Sequence, residues 1–295
     1  MSWVFYILIA NILFAATQIF DKYFNSKKIK SVYSYIVLLN AGAIIFVLIV
    51  SYIISDSFVL NSSFFWAALN GGFYFVMWLL FWQALQTGEV SRVIALFFTQ
   101  PVFNAFLAVL ILGESISLFK WIAILFIVVG GYIVTKEKKS ERTNKIYIPL
   151  TLLAAVVSAS GNIVSKYAMT GLPPITVNAI GYLSTMPISL ILLANKEVFR
   201  EVRANFTKLK DILAFLIRGL TGYVATCFFA FAIGSGLVST VVAMSGTQPL
   251  FTLTFSLLTS FFLPKLIKEN ISKEAIFTKA SAVAMIVVGA IMISL

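Results

Sequence analysis

The chain has 295 residues, of which 60% are hydrophobic, and it carries 22 Lys and Arg residues against 11 Asp and Glu residues. Charged residues make up 11% of the sequence, less than half of the roughly 25% that is usual for a soluble domain. Such a chain cannot cover its surface with polar side chains in water, which excludes a soluble enzyme, a secreted disulfide scaffold and a disordered chain. The composition predicts a membrane protein whose surroundings are the lipid bilayer.

The counts of reactive residues narrow the function further. The chain has no histidine and one cysteine, Cys227, which excludes an internal disulfide, a His/Cys metal site and a Ser-His-Asp triad. We therefore predict that the protein is not an enzyme and uses no metal or cofactor. The net charge of +11 falls in the connections between apolar segments, as in membrane proteins with basic cytoplasmic loops. We accordingly predict no nucleic-acid partner.

Ten apolar segments have about the length of 20 residues that a membrane-spanning helix needs. In chain order they are Trp3–Phe24, Val32–Ile54, Phe64–Gln86, Ser91–Leu112, Leu118–Thr135, Tyr147–Met169, Pro174–Ala194, Asp211–Ile233, Leu237–Phe262 and Ala275–Leu295. The polar stretch Lys136–Lys145 separates the first five from the last five. We predict an all-α integral membrane protein with ten transmembrane helices: a first five-helix repeat at 1–139, a cytoplasmic linker at 140–146 and a second repeat at 147–295.

The basic residues lie on one side of the predicted spans. Of the 22 Lys and Arg residues, only Lys120 and Lys166 belong to the other side. Because basic loops remain in the cytoplasm, we predict that the odd-numbered connections are cytoplasmic. Both termini then face outward from the cell (inner or plasma) membrane.

The two halves of the chain resemble one another. Ala84–Phe103 and Ala232–Phe251 share ten of 20 residues, including a Thr-Gln-Pro triplet that ends at Pro101 and at Pro249. Because five spans are an odd number, the second copy enters the membrane from the opposite side, and the halves form an inverted repeat. Many transporters are built this way and bind solute near the midplane, where the repeats meet.

These features resemble the drug/metabolite transporter superfamily, and within it the EamA-type proteins with ten spans. The resemblance is carried by the two five-span halves, by Ala84-x3-Gly88-x2-Ser91 running to Pro101, by Leu112-Gly113-Glu114 with Gly130-Gly131, and by the start Phe14–Tyr23. It implies secondary transport of a small solute such as an amino acid or a nucleoside, and we expect a monomer or a homodimer. In the second half Leu263-Pro264-Lys265 departs from the Leu-Gly-Glu turn, with Glu269 only after an insertion.

Pro101 and Pro249 lie near the middle of the fourth and ninth predicted spans. Each proline removes a helix hydrogen bond and frees the carbonyl four residues earlier, here that of Phe97 or Ser245. A freed carbonyl within a membrane must find a partner or line a wet cavity. We predict paired kinks around a binding cavity, to which Gln100 and Gln248 add amide groups. The alternative is a packing kink whose glutamine bonds a neighbouring helix.

Further candidate substrate-binding residues lie within the spans. Asn70, Tyr74 and Trp78 recur every four residues on the third span, where aromatic rings can stack on a solute or attract a cation; the alternative is simple packing. Arg218 lies inside the eighth span, where an ionisable residue often marks a substrate path, and it could pair with a carboxylate or a phosphate. The alternative for Arg218 is snorkelling to the cytoplasmic surface.

Four neutral residues complete the predicted substrate site: Asn11 and Gln18 on the first span, and Ser158 and Asn162 on the sixth. Asp21 is the nearest to an intramembrane acid, and its neighbour Lys22 suggests an interfacial pair. Because proton or Na⁺ coupling often uses a buried acid, we predict facilitated diffusion or exchange at least as readily as proton antiport.

The leading function is a carrier that moves a small amphipathic metabolite, an amino acid or an aromatic compound, by alternating access. Arg218 and the neutral polar residues favour an anionic or zwitterionic solute. A cationic drug or metabolite exporter is the second reading, because the aromatic residues of the third span could bind a cation. A non-transporting membrane bundle is the third, and the repeated Thr-Gln-Pro triplets argue against it.

Overall fold

The computed structural model describes residues 2–27, 29, 31–87, 93, 96–135, 145–262 and 273–294. Regular structure in these residues is helical throughout. The helices are α1 (Trp3–Lys27), α2 (Val32–Ile53), α3 (Ser62–Thr87), α4 (Gln100–Leu112), α5 (Leu118–Thr135), α6 (Tyr147–Ala168), α7 (Pro174–Leu193), α8 (Lys196–Asn205), α9 (Leu209–Ser235), α10 (Val238–Ser245), α11 (Gln248–Phe262) and α12 (Lys273–Ser294), with a 3-10 turn at Ser55–Ser57.

Six helices in the described part of the chain, α1, α2, α3, α6, α7 and α9, are long and apolar enough to cross a membrane. The helix α4, most of α5 and the 284–293 part of α12 are shorter apolar helices. These elements follow the predicted spans to within a few residues at most ends. The prediction of an all-helical membrane bundle is confirmed.

Helices of one half pack mainly on helices of the other half. The helix α3 lies along α6 and α1 along α9; α2 crosses α9 and α3 crosses α7; α4 contacts α6 and α11 contacts α1. In addition, α5 packs on α12 and α2 on α7. Exchanging the first span for the sixth, the second for the seventh, and so on, converts every one of these pairs into another of them or into itself. The packing therefore keeps the repeat that the sequence contains.

Glycines hold two equivalent helix crossings at close approach. A Cβ atom on Gly219 of α9 would lie 2.1 Å from the carbonyl carbon of Gly42 of α2. A Cβ atom on Gly71 of α3 would lie 2.1 Å from the carbonyl oxygen of Gly181 of α7. Small residues let membrane helices approach this closely. Gly71 and Gly219 correspond in the repeat, so both crossings rest on the same residue type.

The predicted ninth span is interrupted at its middle. The helix α10 ends at Ser245, and α11 begins at Gln248 with Pro249 as its second residue. Between them the chain makes tight turns, in which the Thr247 N–H donates to the Met244 carbonyl at 3.0 Å. The interruption falls where the sequence predicts a kink. Pro249 lies in the first turn of α11, where its missing N–H leaves no gap in the hydrogen bonds, and the kink itself stays a prediction.

The first half shows the same local structure. The helix α4 begins at Gln100 with Pro101 in its first turn. The preceding turn is closed by the Thr99 N–H, which donates to the Leu96 carbonyl at 3.1 Å. Both Thr-Gln-Pro triplets thus lie where a helix begins.

The amphipathic helix α8 is absent from the predicted spans. Val198 and Val202, one turn apart, are buried in a cluster that includes Tyr35 of α2. The basic residues Lys196, Arg200 and Arg203 of α8 are exposed. The many charges of this stretch led to its interpretation as a connection, although the four-residue spacing of its valines is helical.

Several sequence-based interpretations fall outside the described residues. They concern most of the linker at 140–146, Arg92, the Leu263-Pro264-Lys265 segment and Glu269. The exact bounds of the two repeats remain predictions.

Candidate functional site

Polar side chains on α1 form one stripe along the helix. Asn11, Gln18 and Asp21 are spaced by seven and three residues, which places them on the same face. This face meets the second half of the chain, because Asn11 bonds α10, Gln18 bonds α11 and Asp21 bonds α9. On α6, Ser158 and Asn162 form a second polar stripe, which bonds side chains of the first half.

The first polar cluster, which joins α6 to α3 and α4, consists of Tyr74, Gln100, Asn104, Ser158 and Asn162. Gln100 Nε2 donates to Ser158 Oγ at 2.8 Å. Asn162 Nδ2 donates to Asn104 Oδ1 at 3.0 Å, and Tyr74 donates its hydroxyl to Asn162 Oδ1. Asn104 and Asn162 have no exposed surface. Buried amides cost free energy unless they are bonded, so these bonds hold α6 against the first half.

The second polar cluster, which joins α1 to α10 and α11, consists of Asn11, Gln18, Thr247 and Thr252. Asn11 Nδ2 donates to the Met244 carbonyl and to Thr247 Oγ1, both at 2.9 Å. Thr252 Oγ1 donates to Gln18 Oε1 at 2.7 Å. The interruption of the ninth span is therefore bonded to α1.

Threonine hydroxyls bond the carbonyls one residue before those that the prolines are predicted to free. The Thr99 hydroxyl donates to the Leu96 carbonyl at 2.7 Å, and the Thr247 hydroxyl donates to the Met244 carbonyl at 2.9 Å. These bonds span three residues, as in a tight helical turn. The freed carbonyls of Phe97 and Ser245 stay a prediction.

The two clusters contain equivalent hydrogen bonds. Asn104 and Thr252 each stand three residues after the proline of a triplet, and Gln18 aligns with Asn162. The Asn162–Asn104 bond and the Thr252–Gln18 bond therefore occupy the same place in the two halves. The repeat keeps the bond while the residue types change.

An ion pair joins α1 to α9. Arg218 donates from Nε to Asp21 Oδ1 and from Nη2 to Asp21 Oδ2, each at 2.8 Å. This is the two-pronged geometry in which arginine binds a carboxylate most strongly. Tyr35 of α2 donates its hydroxyl to Asp21 Oδ1. The Arg218 and Asp21 side chains are only 10% and 11% exposed, so the pair is largely removed from water.

This pair bears on two interpretations of the sequence. Asp21 is buried and binds Arg218 of α9, whereas the side chain of Lys22, its neighbour in the predicted interfacial pair, lies outside the described residues. Arg218 does not snorkel to the surface, because its guanidinium group is held by Asp21. The partners are 197 positions apart, and no local pattern in the sequence connects them.

The other half holds a neutral counterpart of the ion pair. By the offsets of the repeat, Asn70 of α3 corresponds to Arg218, and Ser165 of α6 corresponds to Asp21. Asn70 is 4% exposed, and its Oδ1 is buried without a hydrogen bond to any described residue. The same place in the fold thus carries opposite charges in one half and uncharged side chains in the other.

Two predicted site residues stand apart from these bonds. Trp78 is 36% exposed and stacks on Trp82 with ring centroids 6.2 Å apart. Gln248 begins α11 and contributes its carbonyl, which accepts from Thr252 at 3.2 Å. The remaining predicted residues, apart from the two prolines, belong to the two clusters, the ion pair or its neutral counterpart.

Sequence reasoning missed several residues of this interface, Thr247 of the second triplet among them. Asn104 and Thr252 could have been found by extending the Thr-Gln-Pro repeat by three residues. Tyr35 has no such signal. Trp82 was not a predicted site residue. Its ring meets the Tyr35 ring edge-on with the centroids 4.7 Å apart, and its Nε1 is buried without a bond to a described residue.

Two further charged residues hold the connection between α9 and α10. Glu114 accepts from the Val238 N–H at 2.6 Å and from the Ser239 N–H at 3.1 Å at the start of α10. Lys166 Nζ donates to three carbonyls at the end of α9, at 2.8, 3.2 and 3.0 Å. An anion at a helix start and a cation at a helix end both complement the helix dipole, so we assign these residues to stability.

A membrane bundle of two related halves with a polar interface has the construction of many transporters. The sequence model of the EamA-like transporter family matches residues 1–136 and 145–295, and the chain belongs to this family. This confirms the resemblance to the drug/metabolite transporters and makes the protein a multi-pass membrane transporter.

The fold is also similar to solved structures, and 28 of their chains match. One, a crystal structure of a protein, has a TM-score of 0.74 and 15% sequence identity, with 98% of this chain and 95% of that chain covered. At this identity the likeness concerns the fold alone. A search of the curated proteins found no match.

Proposed function

We propose that the protein is a secondary transporter that moves a small metabolite across the cell membrane by alternating access. The observation that carries this proposal is the pair of buried polar clusters between the halves. Each cluster joins the first helix of one half to helices of the other half, next to an interrupted span. Neutral amides and hydroxyls at such an interface can exchange partners, with each other or with a solute, as one half rocks against the other.

The solute we propose is an amino acid or another amphipathic molecule with an anionic group, moved by export or exchange. The amides of the clusters suit its neutral polar groups, and Arg218 suits a carboxylate. The orientation remains as proposed from the sequence, with both termini outside. The exposed basic residues of α8 add to the positive charge at the cytoplasmic end.

Ligand screening followed by solute counterflow tests the function. Purified protein is heated in the presence of amino acids, nucleosides, sugar phosphates and quaternary cations, because a ligand of the folded state raises its stability. The strongest ligand is then radiolabelled and used in counterflow with proteoliposomes. We expect accumulation driven by unlabelled solute inside. A ligand that binds and yet shows no counterflow would contradict transport.

A matched pair of serines on α6 tests the first polar cluster. Ser158 accepts the Gln100 amide, whereas Ser160 bonds the Val156 carbonyl of its own helix. We expect Ser158→Ala to slow counterflow and Ser160→Ala to leave it unchanged. Equal rates in the two variants would remove the first cluster from the solute path.

A cationic exporter is the alternative outcome of the same screen. Trp78 is partly exposed and stacks on Trp82, and such rings attract cations. Stabilisation by a quaternary cation that is lost in Trp78→Ala, but kept in Arg218→Ala, would make this alternative the function.

A further inference from the structure

The ion pair between Asp21 and Arg218 has no charged counterpart at the equivalent place in the other half. The equivalent place in the other half packs with Asn70 and Ser165, which carry no charge. The neighbouring glycine crossings are alike in the two halves. Buried ion pairs often contribute little net stability, because desolvation of the two charges offsets their attraction. The charges therefore call for an explanation other than folding.

Asp21 binds Arg218 as a free carboxylate would. Both carboxylate oxygens of Asp21 accept from the guanidinium group at 2.8 Å, in the geometry by which arginine recognises carboxylate ligands. A solute with a carboxylate could take this place without any change in the donor atoms. Asp21 then acts as an internal competitor for the site.

Unused donors lie beside the pair. Trp82 Nε1 is buried without a hydrogen bond to a described residue, and its ring contacts Tyr35, which itself donates to Asp21. Arg218 uses Nε and Nη2 for Asp21, while its Nη1 lies against Gly222, where a Cβ would stand 2.5 Å away. A ligand at Arg218 would thus find more donors than Asp21 engages.

We propose that the carboxylate of a solute replaces Asp21 on Arg218, and that the displaced Asp21 takes up one proton from the same side of the membrane. This inference rests on the proposed function. Before the exchange Arg218 is neutralised by Asp21, and afterwards by the solute, while Asp21 is uncharged. The net charge of the site is therefore unchanged, and one proton enters the site with each solute carboxylate that binds.

The surroundings of Asp21 are consistent with this exchange. The groups that face it are Arg218 from α9 and Tyr35 from α2, while Tyr182 of α7 interacts electrostatically with Arg218. The helices α3 and α11 carry no ionisable carboxylate or amine. Asp21 is the acid that the described contacts place on Arg218. The proposal selects proton coupling, which the sequence left open beside facilitated diffusion or exchange.

Binding measured against pH tests the proposal. The probes are the amino acids, benzoate and other aromatic carboxylates of the thermal screen, with the strongest taken into titrations between about pH 6 and about pH 8. In the wild type we expect affinity to rise as pH falls, by up to about tenfold per pH unit, because one proton binds with the ligand. Asp21→Asn should bind more tightly than the wild type and lose the pH dependence. Arg218→Gln should lose binding.

Matched and compensated variants keep the test decisive. Asp56→Asn and Arg203→Gln make the same charge changes at exposed positions and should leave binding unchanged. The double variant Asp21→Ser/Arg218→Asn copies the neutral pair of the other half; it should fold and bind no carboxylate. This double variant provides the test if Asp21→Asn alone fails to fold. Carboxylate binding that depends on pH in the double variant would overturn the proposal.

The remaining outcomes separate the two proposals. Three results would overturn the exchange: weaker binding in Asp21→Asn than in the wild type, an unchanged pH dependence in Asp21→Asn, and no binding of any carboxylate to either protein. Counterflow of a solute under those results would leave the transporter function standing. Absence of counterflow with every bound ligand would remove both proposals.

Discussion

The contact between α1 and α9 and the contact between α3 and α6 are equivalent in the repeat, yet they differ in charge. Both contacts lie beside a glycine crossing. Each is also flanked by a hydrogen bond between an amide side chain and a side chain of the helix that follows an interrupted span. One contact holds Asp21 and Arg218, and the other holds Ser165 and Asn70. The comparison teaches that the repeat determines where helices meet, while the side chains at the meeting place diverge in charge.

Removing the arginine should have the largest effect on this comparison. Arg218→Gln leaves the buried Asp21 without its cation, which typically costs about 3–5 kcal/mol of unfolding free energy. Asn70→Ala at the equivalent place should cost much less, because Asn70 Oδ1 has no bond to a described residue. Unfolding in detergent by denaturant or heat measures both.

The compensated variant provides the control for this prediction. Asp21→Ser/Arg218→Asn should recover most of the lost stability, because no unpaired charge remains. A double variant as unstable as Arg218→Gln would mean that the fold needs the charges, and the two contacts would then differ in packing as well.

Alanine at the paired glycines should have the next largest effect and should be similar in both halves. Gly71→Ala and Gly219→Ala would each place a Cβ 2.1 Å from backbone atoms, and overpacking of this kind costs about 1–3 kcal/mol. Gly72→Ala is the matched control, since its Cβ would meet no atom within 4 Å. Thermal unfolding checks all three, and a Gly71→Ala variant as stable as Gly72→Ala would refute the close crossing.

The first polar cluster should depend strongly on one residue. Asn162→Ala removes the acceptor of the Tyr74 hydroxyl and the donor to Asn104 Oδ1, and unsatisfied buried groups cost about 1–3 kcal/mol. A double-mutant cycle between Asn162→Ala and Asn104→Ala measures the coupling. Additive losses would show that the 3.0 Å bond between them contributes nothing.

The equivalent bond in the second cluster should have the smallest effect. Thr252→Val removes the donor to Gln18, a partly buried acceptor, at a cost of about 0.5–1.5 kcal/mol. Thr254→Val on the same helix is the control, because Thr254 is exposed and bonds the Leu250 carbonyl of its own helix. Equal thermal stability of the Thr252→Val and Thr254→Val variants would contradict the equivalence of the two clusters.

Much of the fold could be predicted because its signals are local. Apolar segments of spanning length gave the positions of most helices, and the triplets at Pro101 and Pro249 gave the repeat. Two helices, α4 and α11, begin at these triplets, where kinks were predicted. Helix α8 was missed because its apolar face is narrow and its charges are many.

The ion pair could not be predicted, for a physical reason that applies to the whole interface. Asp21 and Arg218 each have several neighbours within reach along their own helices, and only the packing of α1 on α9 makes them partners. The same holds for Tyr35 and Trp82, whose sequence positions suit packing equally well.

The sequence by itself determined that the chain belongs in a membrane, that it folds into helices and that its two halves share one plan, because composition, segment length and internal repetition do not depend on distant contacts. The tertiary structure decided which polar residues meet across the halves and that, among the described residues, the contact of α1 with α9 buries a pair of charges where the contact of α3 with α6 holds uncharged side chains. The energy of a buried charge is set by the few atoms around it, and those atoms are brought together only when helices far apart in sequence pack.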